Sequence, residues 1–235
     1  MNSSSIKVAP SILAGDFGRL KDEAKKIEDS GADAIHIDIM DGHFAPNLTM
    51  GPKAVAAINR STDLFLDVHL MMYNPYDYIE RFVEVGADLI TFHFEATEDV
   101  EGVLSYIRKC NRKAGLSFNP ETPFSMIPKF LDKCDLVLLM SVHPGFSGQK
   151  FLPEVLEKIE MTRKVCDDLG IRQGGVISKK GETLPPFDIQ VDGGINAKTA
   201  CQCIKAGANF LVSGAYLFDL PSMSEGVQKF KCCPR

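Results

Sequence analysis

Gly31–Met40, the stretch GADAIHIDIM, contains the pattern that decides the fold of this 235-residue chain. Its opening triplet recurs at Gly86–Asp88 (GAD) and, with one change, at Gly207–Asn209 (GAN). Each copy follows an amphipathic, helix-like stretch and precedes an apolar, β-rich one, such as Ala34–Ile39. Glycine suits the left-handed residue that closes a helix before the chain turns into a strand. The repeat therefore predicts successive helix-to-strand turns and a parallel sheet.

Eight candidate strands lie along the chain, most of them about 20–30 residues apart, as βα units require. They are predicted to begin near Lys7, Ala34, Leu64, Asp88, Ala114, Asp135, Phe187 and Phe210. Helical patterns between them include Phe17–Asp29, Pro75–Val85, Val100–Arg112 and Pro153–Leu169. Because no Pro/Ser-rich linker divides the chain, we expect one catalytic domain over residues 1–235.

Eight βα units fit either a closed (β/α)8 barrel or a doubly wound open sheet. The motif GxGxxG after the first strand would support an open nucleotide-binding sheet, but Ala9–Gly15 reads APSILAG and lacks it. The length of 235 residues is typical of one barrel. We therefore predict an α/β fold, a single (β/α)8 TIM barrel.

Composition and charge narrow the class of protein. Hydrophobic residues make up 45% of the chain and charged residues 24%, the balance of a soluble globular protein. The net charge of -5 argues against a nucleic acid or an anionic membrane as partner. The polar start Met1–Ser5 does not resemble a secretory signal, and the longest apolar run, Leu136–Met140, is too short to cross a bilayer. We expect a cytoplasmic protein.

The seven cysteines are odd in number and contain no CxxC pair. Cys201 and Cys203 are two residues apart on a predicted helix, so they point to different faces. We predict that all seven are reduced thiols. They are Cys110, Cys134, Cys166, Cys201, Cys203, Cys232 and Cys233.

In either candidate fold, function lies at the C-terminal ends of the strands. His36, Asp38 and Met40 alternate along the second strand and therefore share a face. His69 and Met71 end the third strand in the same way. His43, His93 and His143 also lie at or beyond strand ends. One such histidine is more often structural, but histidines and carboxylates that converge at a barrel mouth predict a divalent-metal site.

Two carboxylates, Asp38 and Asp192, come from the second and seventh strands, on different sides of an eight-stranded ring. This arrangement suits removal of a proton from one face of a substrate and its return to the other. The alternative is that such residues cap loops, and for Asp41, which precedes Gly42, we prefer that interpretation.

Three glycine-bearing segments follow the last three strands: Pro144–Gln149 (PGFSGQ), Gly193–Asn196 (GGIN) and Ser213–Ala215 (SGA). Glycines let backbone N–H groups approach an anion closely, and a following helix adds its positive end. Phosphate binding in this region is common in barrels. The segments therefore predict a phosphate-bearing ligand held by the backbone.

Motifs from the first strand to beyond the seventh resemble those of the ribulose-phosphate 3-epimerase family. HIDxMDG at His36–Gly42 and VDGGI at Val191–Ile195 are together highly specific. The other matching stretches are Ala9–Leu13, His43–Phe44, Pro46–Asn47, His69–Met71, Asn119–Pro123, Pro144–Phe146 and Gly148–Gln149.

The resemblance implies interconversion of D-ribulose 5-phosphate and D-xylulose 5-phosphate in the pentose phosphate pathway, by two-base proton transfer at C3. It implies one divalent ion per chain, Fe2+ or Zn2+ with Mn2+ or Co2+ as alternatives, and we expect a homo-oligomer, a dimer or a hexamer. The resemblance assigns the metal to His36, Asp38, His69 and Asp192, and it assigns proton transfer to Asp38 and Asp192. Met40, Met71 and Met140 would form the wall of the site. The residues that would contact the substrate are Ser11, His69, Asp192, Gly145, Phe146, Ser147, Gly148, Gly193, Gly194, Gly214 and Ala215.

The chain departs from the family pattern in several places. Gly145–Gln149 reads GFSGQ where family members often have GFGGQ, so Ser147 replaces a glycine. After the eighth strand, Ser213–Ala215 reads SGA where many members have AGS, so the serine hydroxyl at the third position, and with it one phosphate contact, is lost. Gln173–Pro186 resembles an insertion, expected on the face away from the site. The tail after Phe218 is short for a final barrel helix.

Three other functions compete with this interpretation. A relative acting on D-allulose 6-phosphate shares the PNLT and NPETP stretches, although VDGGI favours the ribulose enzyme. A metal-free decarboxylase or aldolase of the same superfamily would carry DxKxxD, but Met40 stands where that lysine would be. A non-catalytic phosphate-binding barrel would not need four ligand candidates.

Overall fold

In the computed structural model, which describes residues 6–179 and 182–234, eight strands run parallel around a barrel. Each barrel strand begins within one residue of its predicted start. In chain order the strands are β1 Lys7–Pro10, β2 Ala34–Met40, β3 Phe65–Met71, β4 Leu89–His93, β5 Lys113–Phe118, β6 Leu136–Met140, β7 Ile171–Arg172, β8 Val176–Ile177, β9 Asp188–Asp192 and β10 Phe210–Ser213.

The hydrogen-bonded order of the barrel strands is β1-β10-β9-β6-β5-β4-β3-β2. Parallel pairing of Ser11 with His36 bridges the remaining gap, between β1 and β2. The short strands β7 and β8 pair with each other and stand outside the ring. The predicted (β/α)8 barrel is therefore confirmed, and the open sheet is excluded.

Helices cover the outside of the ring, and the four predicted helical segments are confirmed with slightly shorter α-helical bounds. The α-helices are α1 Leu20–Asp29, α2 Pro52–Asn59, α3 Ile79–Glu84, α4 Val100–Lys109, α5 Val155–Asp168, α6 Ala197–Ala206, α7 Ala215–Phe218 and α8 Met223–Lys231. Between β5 and β6 the helix is replaced by the 3-10 segment Phe124–Lys129. Pro128 lies inside it, and proline disfavours a regular α-helix there.

The strands are buried on both faces, and the two faces have different chemistry. In β2, Ile35, Ile37 and Ile39 belong to the apolar layer between the strands and the helices. The alternate residues His36 and Asp38 are also buried but belong to the other face of the strand, which lines the barrel interior. The second strand therefore carries both a packing face and a polar face, as the alternation predicts.

The GAD and GAN triplets mark the turns into β2, β4 and β10, and their glycines adopt φ of 75°, 99° and 115°. The third residue of each triplet binds the preceding strand twice. Its backbone N–H donates to a carbonyl there, and its side chain accepts the N–H of that same residue. The same double contact recurs before β6. The four pairs are Asp33 with Val8, Asp88 with Leu66, Asp135 with Ala114, and Asn209 with Ile189.

Two expectations about the C-terminal region are wrong. The tail after Phe218 is long enough to form α8, and Phe230 on that helix is fully buried. Cys201 on α6 forms a disulfide with Cys233, whose Cα lies 5.4 Å away, so these two cysteines are not reduced thiols. The cause is the packing of α8 against α6, which brings together residues 32 positions apart.

The start of the Gln173–Pro186 insertion lies at the N-terminal end of the barrel, on the expected side away from the site. Gln173 and Gly174 help to line a cavity of about 460 Å³ there, together with Lys7 and Asp188 from β1 and β9. Residues 180 and 181 of the insertion lie outside the described residues, as does the N-terminal segment Met1–Ser5, in which no secretory signal is expected. Among the described residues, no helix is both long and apolar enough to cross a membrane.

Reduction of the Cys201–Cys233 bond should lower the free energy of unfolding by about 3–4 kcal/mol. The reason is that a cross-link spanning 32 residues restricts the unfolded chain. Urea unfolding with and without dithiothreitol measures the difference. The double variant Cys201→Ser/Cys233→Ser is the control and should not respond to dithiothreitol. Equal midpoints for the oxidised and reduced protein would contradict the prediction.

Candidate active site

A cavity of about 690 Å³ opens at the C-terminal ends of the barrel strands. It collects most of the residues that the sequence assigned to the site. Those that line it are Ser11, Asp38, Met40, Met71, Met140, Gly145, Phe146, Ser147, Gly148, Asp192, Gly193, Gly194, Gly214 and Ala215. His36 and His69 are completely buried. The site therefore consists of an open mouth over a buried polar floor.

Four residues of this floor, His36, Asp38, His69 and Asp192, form a group that could hold a metal ion. Each offers one ligand atom, and these atoms all lie within 4.8 Å of one another. Nε2 of His36 is 3.3 Å from Oδ1 of Asp38 and 3.9 Å from Oδ2 of Asp192. Nδ1 of His69 is 3.2 Å from the same Asp38 oxygen. Two imidazoles and two carboxylates are a donor set suited to a divalent transition metal.

The hydrogen bonds of His36 fit a metal ligand. Its Nδ1 lies 2.8 Å from Oδ2 of Asp67, which is fully buried, and Gln190 donates to the same oxygen over 2.5 Å. Its Nε2 is buried and has no hydrogen-bond partner among the described residues. A buried nitrogen without a partner is costly. Burial lowers the pKa of His36, but Asp67 and Asp38 outweigh it and raise the pKa well above its usual value, so a cation that binds Nε2 between Asp38 and Asp192 would displace a hydrogen there.

The two aspartates have different surroundings. Burial would raise the pKa of Asp38, but His36 and His69 outweigh it and hold the pKa well below its usual range. Ser11 also donates its hydroxyl to Oδ2 of Asp38 over 2.6 Å. For Asp192, burial and the nearby charge of Asp38 raise the pKa to about 7. Neighbouring carboxylates with pKa values driven apart are typical of acid–base pairs.

The histidines do not all converge as predicted. His93 is fully buried and contacts His69, but it is not itself a member of the four-residue metal group. His143 is exposed and pairs with Glu121 over 3.0 Å, and His43 is exposed in a loop. These two side chains lie beyond their strands, where period-two alternation no longer determines direction.

Asp41, for which we preferred a loop-capping role, does cap its loop. Oδ1 of Asp41 accepts the backbone N–H groups of His43 and Phe44 over 2.8 and 2.9 Å. Sequence reasoning gave no role to Asp67 or Gln190. The available signal was their position on the same strand face as His69 and Asp192, two residues before each.

The glycine segments meet around one part of the mouth. Gly193 and Gly194 adopt φ of 115° and 62°, and an added Cβ would lie 2.5 Å from Cγ2 of Val142 or from the backbone N of Phe151. Only glycine therefore allows the chain to pass here. Asn196 then caps α6 by accepting the N–H groups of Lys198 and Thr199. The N-terminus of α6, with its positive dipole end, opens beside the cavity.

The Pro144–Gln149 loop covers the cavity from the side of β6. It is fastened from within, since Gln149 donates to the carbonyls of His143 and Phe146 over 2.7 and 3.0 Å. Asn47 fastens it from outside by donating to the Gly145 carbonyl over 2.8 Å. Phe146 is 56% exposed. The loop thus presents an exposed apolar side chain at the rim of the cavity.

Fold and site together define a (β/α)8 barrel enzyme with a buried His/Asp group that could hold a metal ion and glycine-rich segments at the same mouth. The chain belongs to the ribulose-phosphate 3-epimerase family, whose model matches residues 7–218.

Curated relatives agree with this assignment, and a solved structure agrees with the fold. The chain is 52% identical to ribulose-phosphate 3-epimerase of Chlamydia pneumoniae over 94% of its own length and 91% of that protein. It is 44% identical to the Synechocystis enzyme of the same name over 96% and 93%. A solved 3-hexulose-6-phosphate synthase shares the fold, with a TM-score of 0.67 and 15% identity over 99% of this chain and 100% of that chain.

The purified protein should contain about one divalent ion per chain, because four ligand atoms meet in one place. His36→Asn keeps a donor for Asp67 at the position of Nδ1 but removes Nε2, so it should bind Zn2+ at least about tenfold more weakly. Elemental analysis and chelator competition measure content and affinity. His143→Asn, which changes an exposed histidine, should retain both. Undiminished Zn2+ affinity in His36→Asn would remove His36 from the ligand set.

Proposed function

We propose that the protein interconverts D-ribulose 5-phosphate and D-xylulose 5-phosphate by moving the C3 proton between two carboxylates, within one catalytic domain. The observation that carries the proposal is the meeting of Asp38 and Asp192 at one cavity, from separate strands and both close to Nε2 of His36. Inversion at a carbon requires one group to take a proton and another to return one to the opposite face. Membership of the epimerase family supports the same reaction.

In the direction from ribulose 5-phosphate, Asp38 removes the C3 proton and Asp192 donates a proton to the other face. Asp38 receives the Ser11 hydroxyl and lies beside two histidines, surroundings that favour its ionised form. Asp192 lies beside Asp38 and its negative charge, which favours the protonated form. These surroundings support opposite roles for the two groups.

His36, Asp38, His69 and Asp192 would hold the metal ion, and we propose Fe2+ or Zn2+, with Mn2+ or Co2+ as alternatives. When bound, the ion supplies positive charge that offsets the negative charge developing on the C2 oxygen as the C3 proton leaves. This help matters because a carboxylate with an ordinary pKa of about 4 is a weak base. Asp38 and Asp192 would therefore serve both as ligands and as proton carriers.

The rest of the cavity suits a phosphorylated ketose. Met40, Met71 and Met140 form an apolar wall that excludes water from the carbon that loses its proton. The phosphate would bind through backbone N–H groups of the segments 145–148, 193–194 and 214–215. The hydroxyl of Ser147 supports a further contact, because its Oγ lies 3.1 Å from the position of a Cβ on Gly214.

We also propose that the chain forms a homo-oligomer, a dimer or a hexamer, and acts in the cytoplasm. Tyr73, Tyr76 and Tyr78 support the assembly, because three exposed aromatic side chains within six residues are unusual on a monomer surface. Aromatic residues are enriched in interfaces.

Gly145→Val should lower kcat/KM by at least about tenfold, equivalent to about 1.4 kcal/mol. Gly145 has φ of 147°, a backbone conformation that residues with a side chain rarely adopt, so valine would displace the loop. Steady-state kinetics measure both constants. Gly170→Val, at another positive-φ glycine beyond α5, should lower stability without changing KM. Wild-type kcat and KM in Gly145→Val would place the loop away from the substrate.

Asp192→Asn, reloaded with metal, should lose epimerisation by roughly 10²–10⁴-fold while it still exchanges the C3 hydrogen of ribulose 5-phosphate in deuterated water. The reason is that Asp38 can still remove and return the proton on its own face. NMR follows exchange and the appearance of xylulose 5-phosphate in the same sample.

Asp38→Asn is the matched control, and with the same substrate it should show neither exchange nor product. Metal content must be measured in both variants, because both side chains belong to the ligand group. Normal epimerisation by Asp192→Asn would rule out Asp192 as the second acid. If the unaltered protein turned over D-allulose 6-phosphate faster than D-ribulose 5-phosphate, the longer sugar would be the proposed substrate.

A further inference from the structure

A buried chain of hydrogen bonds leads from the metal group to a segment outside the cavity. Nε2 of His69 lies 2.8 Å from Nε2 of His93, and Nδ1 of His93 lies 3.3 Å from Oε2 of Glu95. Both imidazoles are completely buried. Their rings stack with centroids 4.9 Å apart, and Phe44 packs on His93 with its centroid at 4.6 Å. The two rings therefore have little freedom to turn.

The outer end of this chain is the NPET segment, Asn119–Thr122, which follows β5. The other carboxylate oxygen of Glu95, Oε1, accepts the N–H of Asn119 over 2.9 Å and the hydroxyl of Thr122. Nζ of Lys158 on α5 in turn donates to the carbonyls of Asn119 and Thr122 over 3.2 and 2.8 Å. The segment thus holds Glu95 by one oxygen and leaves the other for His93.

The carboxylate determines the direction of every hydrogen bond in the chain. Burial raises the pKa of Glu95, but hydrogen bonds from His93, Thr122 and Asn119 outweigh it and leave the pKa below its ordinary value. The two hydrogens that Oε1 accepts from Asn119 and Thr122 favour the ionised form independently of His93. An ionised carboxylate only accepts, so Nδ1 of His93 carries the hydrogen. In a neutral imidazole the other nitrogen then accepts, so Nε2 of His69 donates to it.

This direction leaves the lone pair of Nδ1 of His69 pointing toward Oδ1 of Asp38, 3.2 Å away. A histidine must present a bare nitrogen to bind a metal. Two lone pairs at that distance repel each other unless a cation lies close to both. The reverse direction would put a hydrogen on Nδ1 of His69 and set a bare nitrogen of His93 against Glu95.

We propose that Glu95 and His93 are positioning residues, which fix the tautomer and orientation of His69 so that its Nδ1 is free for the metal. The NPET segment acts through them by fixing Glu95. The inference rests on the proposed metal-dependent function. It extends to His69 the arrangement that Asp67 provides directly for His36. Outer hydrogen-bond partners of this kind commonly account for about 10–100-fold in metal affinity.

Glu95→Gln is the sharpest test, because it keeps shape and size but adds two donors. The amide oxygen should occupy the position of Oε1, where Asn119 and Thr122 both donate, so the NH2 group would face His93. The chain would then reverse and place a hydrogen on Nδ1 of His69. We expect about 10–100-fold weaker Zn2+ binding, measured by competition with a chromogenic chelator.

Asp188→Asn makes the same chemical change at the other end of the barrel. Asp188 is 6% exposed and pairs with Lys7 over 2.7 Å. It should lower stability but leave Zn2+ affinity within about twofold, since it lies outside the chain that reaches the metal. The comparison separates loss of stability from loss of orientation.

Long-range 15N NMR of the Zn2+-loaded, unaltered protein tests the inference without any substitution. We expect a hydrogen on Nδ1 of His93 and none on its Nε2, which accepts from His69. A hydrogen on Nε2 of His93, or unchanged Zn2+ affinity in Glu95→Gln, overturns the positioning role and leaves the proposed epimerase reaction intact. An unaltered protein that binds no divalent ion overturns both proposals.

Discussion

The two-residue period of β2 is the constraint on which the rest of the structure depends. Ile35, Ile37 and Ile39 pack under the helices, while His36 and Asp38 occupy the opposite face. A slip of one residue would place the polar side chains among the apolar ones and reverse both faces at once. His36 also pairs with Ser11 to bridge β1 and β2, so the residue that offers a nitrogen to the metal group also helps to close the ring.

The alternation explains which parts of the molecule could be predicted from the sequence. Asp38, Asp192 and the methionine wall follow from strand periodicity and from the rule that barrel sites lie at strand C-termini. Asp67 and Gln190 could be placed on the correct face, but the hydrogen bonds from Gln190 to Asp67 and between Asp67 and His36 depend on how three strands align. A single sequence does not contain that alignment.

The errors have related causes. The Cys201–Cys233 bond depends on how α8 packs on α6, which the local spacing of cysteines does not reveal. His43 and His143 resemble the site histidines in sequence but lie beyond the ends of their strands. The local sequence pattern therefore predicts the direction of a side chain inside a helix or strand. It fails for contacts between distant segments and for residues in loops beyond the strand ends.

The four double contacts at the opposite end of the barrel join β1 to β2, β3 to β4, β5 to β6, and β9 to β10. Each links a turn residue to the strand just before it in the ring, across only 20 to 25 positions of sequence. The double contacts skip every second interface, so they divide the ring into four modules, each made of two adjacent strands and the segment that connects them. Modules closed by such local contacts can form before the ring does, since short loops cost the least entropy. The catalytic end is thereby left free to vary its loops without loosening the scaffold.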